Sequence, residues 1–134
     1  MKHSKLKVKR NKLKKISKAG LRRLQMRADR ALQDYMRDKY KYQSCEACLN
    51  PFQVSHHAFT KSSCFRLRYE EINLVKLCHS CHTKHHLQGN PTIMATVLLK
   101  RGQNWWDALV RLSKEKPQEP SEKYYLDIIN KYKI

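Results

Sequence analysis

Two stretches decide the reading of this chain: Cys45-Glu46-Ala47-Cys48 and Cys78-His79-Ser80-Cys81-His82, two C-x2-C pairs about thirty residues apart. A tetrahedral zinc ion takes four soft ligands, and two intervening residues let a tight knuckle aim both sulfurs of a pair at one ion. The sequence therefore predicts a structural Zn2+ on Cys45, Cys48, Cys78 and Cys81. In a chain of 134 residues the ion would supply much of the folding energy. The fifth cysteine, Cys64, stands outside the spacing and reads as a small buried hydrophobe.

Outward from the cysteines the chain divides into 1–42, a basic arm and amphipathic helix; 43–90, the zinc-bound core; and 91–134, a helical region. The formal net charge is +18, and residues 1–42 hold 16 basic against 3 acidic residues, so the excess sits at the N-terminus. Self-repulsion of this size is best relieved by a polyanion, which makes DNA the expected partner. Met1 to Gly20 carry nine Lys/Arg and no acid and read as an arm. Leu21, Leu24, Ala28, Ala31, Leu32, Tyr35 and Met36 recur at helical steps to about Lys39, leaving an arginine-rich face that includes Arg22 and Arg23. Further on, Asn90-Pro91 opens a helix closed by Gly102, Asn104 can cap a second, and Ser121 caps a third.

No apolar run approaches the ~20 residues of a membrane span, and the basic start lacks the apolar segment of a secretory signal. The expected setting is intracellular, the cytoplasm of a bacterial host if the chain is phage-encoded, with no membrane partner.

Between and after the cysteine pairs lie His56-His57, Asn73, and His82 with His85 and His86. Val54 to His57 and the alternating Phe65 to Tyr69 stretch predict two strands, and a helix should begin around Cys78 to Cys81, giving a ββα unit. Neighbours on a strand point to opposite faces, so one ligand and one base is the economical division of His56 and His57. His82, His85 and His86 share one side of the helix. His85 and His86 read first as phosphate contacts or a solvated helix end, and second as additional ligands. Arg66 and Arg68, on one strand face, with Lys61 and Lys84, would extend a DNA-contacting surface.

The order Cys-x2-Cys, His56-His57, Asn73, Cys78-His79-Ser80-Cys81-His82 resembles the zinc-containing HNH, or ββα-metal, endonucleases from Cys45 to about His86. Asn73 stands five residues before Cys78 and His82 nine after Asn73, as in the general HNH pattern. Within that group the stretch from His57 through Phe65-Arg66-Leu67-Arg68-Tyr69-Glu70-Glu71 to Asn73, with the basic N-terminal extension, resembles the phage NinG (Rap) recombination endonucleases. The resemblance implies an α+β fold with a zinc-stabilised ββα-metal core. It also implies a metal-dependent DNA endonuclease hydrolysing phosphodiester bonds, plausible in phage recombination or DNA processing on duplex or branched DNA. It assigns the catalytic ion to His56 and His82, proton abstraction to His57, and support of the hairpin to Asn73 as the second catalytic position. Mg2+ or Mn2+ is the expected catalytic ion, with Ni2+, Co2+ or Zn2+ as alternatives, since imidazole nitrogens suit the transition metals better than Mg2+. A homodimer would let two strands be cut together. Two rivals stand beside this reading: a non-catalytic zinc-ribbon nucleic-acid-binding module, and a nuclease directed at RNA.

Overall fold

A computed structural model describes residues 15–134, and most of the basic arm expected over Met1 to Gly20 lies outside them. The architecture is α+β, with five helices and one two-stranded sheet among the described residues. Helix α1 spans Lys18–Lys39, so it takes in the end of the segment expected to be arm. Ser17 caps it, its Oγ accepting from the Gly20 amide at 3.1 Å. Ile16, just before the cap, packs into the same core as Leu21, a hydrophobic staple. A side chain at Gly20 would meet Ile16 at 2.8 Å, so the staple closes because that position carries no Cβ.

Strand β1, Val54–His57, pairs antiparallel with β2, Leu74–Leu77, with His56 opposite Val75 and His57 opposite Leu74. The second strand is therefore not Phe65 to Tyr69, as alternation predicted: Phe65–Leu67 forms a 3₁₀ turn inside the long β1–β2 connection. The cause is tertiary. Phe65 and Tyr69 pack against Tyr124, and the two intervening arginines turn to carboxylates distant in sequence, Arg66 to Glu115 at 2.8 Å and Arg68 to Asp29 at 2.6 Å. Arg66 and Arg68 thus do not form a strand face presented to DNA. Arg66 also bonds Glu70, and Arg68 is held by both oxygens of Asp29.

Helix α2, His79–Gln88, starts immediately after β2 with Cys78 as its N-cap. Helices α3, Thr92–Arg101, and α4, Gln103–Ser113, meet at Gly102, whose φ of 89° makes the abrupt turn that an L side chain resists. Asn104 accordingly lies inside α4 rather than capping it. Helix α5, Glu122–Lys131, is capped by Ser121, which accepts from the Tyr124 amide.

Two apolar clusters sit on either side of the hairpin. Leu24, Ala28, Leu32 and Met36 of α1 pack with Tyr125, Tyr132, Tyr69 and Leu74, so α1 and the α5 region share one core. The second cluster joins Val75 and Leu77 to Cys45, Cys78, Cys81 and to Ile93 and Val97 of α3. Alternation along β2 explains the division: Leu74 faces one cluster, Val75 and Leu77 the other. Each half of the fold is thereby anchored on the strand that leads into α2.

Candidate active site

The Sγ atoms of Cys45, Cys48, Cys78 and Cys81 lie within 4.8 Å of one another. Zinc–sulfur bonds of ~2.3 Å place tetrahedral sulfurs about 3.8 Å apart. Cys48 and Cys78 sulfurs are 3.6 Å apart, so the four thiols fit such an ion. Burial disfavours the Cys45 thiolate, but the amides of Cys78, Ala47 and Cys48 outweigh it and bring the group down to about 7. Burial pushes the Cys81 thiol up, and the sulfurs of Cys48, Cys78 and Cys45 add to that push. A ring of thiols that cannot all ionise alone is what a dication relieves.

The first knuckle is fastened from outside. Glu46 receives Arg101 of α3 at 2.6 and 2.8 Å and the Lys76 amide at 2.6 Å, tying the knuckle to β2 and α3. Arg101 reaches on to the Leu74 carbonyl at 2.9 Å and lies over the Trp105 ring. Trp105 in turn donates its indole N–H to the Ile72 carbonyl. The same charges set the Glu46 carboxyl: burial pushes it up, but Arg101 and the Lys76 amide prevail and hold it below the usual range.

One turn further along α2 stands a second cluster. His56, His82 and His86 each offer a ring nitrogen within the same 4.8 Å limit. His82 and His86 are one helical turn apart, and His56 reaches them from β1, its Nδ1 3.2 Å from His86 Nε2. Metal–nitrogen bonds of ~2.1 Å put ligand nitrogens about 3.0 to 3.4 Å apart, so these three fit one ion. His86 therefore belongs with the candidate ligands, and the signal for it was the i, i+4 spacing from His82. Burial pulls His56 down to about 3, reinforced by the charges of His85, His86 and His82. A neutral imidazole presents a lone pair, the form a metal requires. His85 packs its ring 4.8 Å from that of His56 and keeps its Nδ1 buried without a partner.

His57 stands apart from this cluster. Its Nε2 lies 2.9 Å from the Arg68 carbonyl. A carbonyl only accepts, so Nε2 carries the proton and Nδ1 the lone pair. Burial lowers the His57 imidazole; the bond to the Arg68 carbonyl opposes it, and the charges of Lys61 and Arg68 add to the lowering. The Arg68 backbone is itself fixed by the two-pronged Asp29–Arg68 bond, so α1 reaches the histidine through one residue.

Asn73, fully buried, binds the connection together. Its Nδ2 donates to the carbonyls of Phe59 and Leu67, and its Oδ1 accepts from the Phe59 amide at 2.8 Å. Those bonds pin the chain on both sides of the segment that leaves His57 and returns to β2. Val54 to His57, Thr60, Lys61, His82, His86 and Gln33 line a pocket of about 350 Å³. Lys61 thus borders the histidines, while Lys84 and Arg22 and Arg23 lie exposed on their helices and outside this pocket. Among the described residues no helix is long and apolar enough to cross a membrane. No family model, curated protein or solved structure matches the chain.

Proposed function

We propose that the protein is a metal-dependent HNH-type DNA endonuclease, with Zn2+ held by the four cysteines and an exchangeable divalent ion by His56, His82 and His86. The observation that carries this reading is the pairing of a three-nitrogen cluster with a separate neutral histidine, His57, on one pocket. A module that only bound nucleic acid would need neither. A bound dication would stabilise the charge that builds on the scissile phosphate and its leaving oxygen.

The chain's own residues then have distinct tasks. His57 takes the proton of the attacking water at Nδ1, and the imidazolium formed is stabilised by the Nε2–H bond to the Arg68 carbonyl. Asn73 keeps that carbonyl and the His57 backbone in register by tying Leu67 and Phe59 together. Lys61, on the pocket wall, offers a positive charge to the phosphate. Three imidazoles favour Mn2+, Co2+, Ni2+ or Zn2+ over Mg2+ on donor softness. Phage recombination or DNA processing, an intracellular setting, a preference for branched over plain duplex DNA and a homodimeric form belong to the same proposal.

The test is a cleavage panel on plasmid, branched, single-stranded and RNA substrates with the wild type and His57→Ala. Metal-dependent DNA cleavage lost in His57→Ala, with folding, zinc and DNA affinity retained, supports the assignment. Equal activity of the two proteins removes His57 as the base, and cutting confined to RNA replaces the substrate.

A further inference from the structure

Arg23, Met26, Arg30, Gln33 and Arg37 of α1 follow one another in alternating steps of three and four residues, so they share one face of the helix. That face is turned away from the buried stripe of Leu24, Ala28, Leu32 and Met36. It contains no acid: Asp29 is engaged by Arg68, and Asp34 lies to one side, reaching Arg37 at 3.5 Å on the exposed surface. Arg22, Arg23 and Arg30 enter no ion pair among the described residues. Met26, between them, is 63% exposed. Towards its C-terminal half the face meets the candidate site, because Gln33, with Lys61, lines the pocket that holds His56, His57, His82 and His86. The arginines of the β1–β2 connection, by contrast, are neutralised, Arg66 by Glu70 and Glu115 and Arg68 by Asp29.

We infer that this face of α1 is the duplex-binding surface, with Arg23, Arg30 and Arg37 on backbone phosphates and Gln33 and Lys61 flanking the strand where it enters the histidine pocket. The inference deepens the endonuclease reading and rests on it for the choice of DNA. From Arg23 to Arg37 the stripe rises about 21 Å along α1 at ~1.5 Å per residue, so several successive phosphates of a duplex strand, about 3.4 Å apart along the axis, lie within its reach. Guanidinium groups suit phosphate oxygens by charge and by their paired N–H donors. Met26 offers an apolar contact between two such anchors. The arginines of this stripe set position and register of the strand relative to His57 rather than sequence preference.

The test uses the full chain in a His57→Ala background, so that DNA stays intact, and a fluorescent duplex of about two turns. Affinity is measured by anisotropy over a series of salt concentrations. An Arg23→Glu/Arg30→Glu double variant is compared with an equal charge change on α4, Arg111→Glu/Lys114→Glu, and with the milder Arg23→Gln/Arg30→Gln. The α1 reversal should weaken binding at least tenfold and flatten the salt slope by about two, since each lost phosphate contact removes about 0.9 from it. The Gln pair should fall about threefold or more, and the α4 reversal less than threefold. Equal losses from both reversals, or wild-type affinity in the α1 variants, would overturn the surface. Separately, with His57 restored, the α4 variant should hydrolyse bis(p-nitrophenyl) phosphate as the wild type does. If no protein hydrolyses it or cuts DNA while the α1 binding loss persists, the surface stands and the nuclease reading falls.

Discussion

The cysteine and histidine clusters hang on the same hairpin and the same helix, yet they are built for opposite ends. Cys45, Cys78 and Cys81 are buried among Val75, Leu77, Ile93 and Val97, and four sulfurs leave no coordination position over. The histidines instead grade outward, from buried His56 through half-buried His82 to exposed His86, and they open on a pocket. An ion held by three nitrogens would keep room for water or a phosphate oxygen, and the proposed division into a structural and a catalytic metal site rests on that difference. Adjacent positions on one helix separate closure from access: Cys81 ends the first site, and His82, with His86, makes the second.

The comparison breaks most visibly at the cysteines. Cys45→Ser should lose both zinc and the folded state, because the second apolar cluster is assembled around these side chains. Metal analysis with thermal melting checks this, and a fully folded, zinc-free protein would refute it. Arg101→Met, next in size, should destabilise by roughly 3 kcal/mol by stranding Glu46 in a partly buried site. Glu46 is held below its usual range, so its stabilisation is complete above that range and is lost as pH falls through the lower folded value. Arg101→Met should therefore also raise the pH of acid unfolding, as followed by circular dichroism.

At the histidines the fold should be nearly indifferent. His86→Ala should weaken the exchangeable ion by about ten- to a hundredfold, with zinc and melting temperature unchanged, read by metal titration. Unaltered metal affinity would return His86 to a phosphate contact or a free helix end. The smallest effect expected is that of Asp29→Asn, a few-fold lower kcat at constant KM, since Asp29 acts on His57 only through Arg68. Its pH profile is the discriminating readout. Burial keeps His57 below the ordinary histidine value of 6.5, so the wild-type rate should hold to below that pH before protonation removes the base. A looser Arg68 carbonyl should move that limb.

Much of this was legible in the residues. Cysteine spacing located the first site, the Ser121 cap and the Asn90-Pro91 start located α5 and α3, and adjacency on a strand separated His56 from His57. The Phe65–Tyr69 segment misled because its alternation satisfies a strand and a turn equally, and partners 39 and 49 residues away decided between them. The same distance hid Asp29 and Gln33: the apolar stripe of α1 marks its buried face but not which polar residues beside that stripe meet Arg68 and the histidine pocket. His86 was visible only as spacing, and it took β1 beside α2 to select it over His85 as a ligand.

The most direct measurement is a metal add-back titration of DNA cleavage, on protein stripped by mild chelation so that the cysteine-held zinc stays. Wild type should recover cleavage as Mn2+, Co2+ or Ni2+ is added, His56→Ala and His82→Ala should require far more metal, and His57→Ala should bind the ion normally yet never recover. Near-normal cleavage by His57→Ala, or recovery of His56→Ala and His82→Ala at the wild-type metal concentration, would contradict the assignment of this cluster as the catalytic centre.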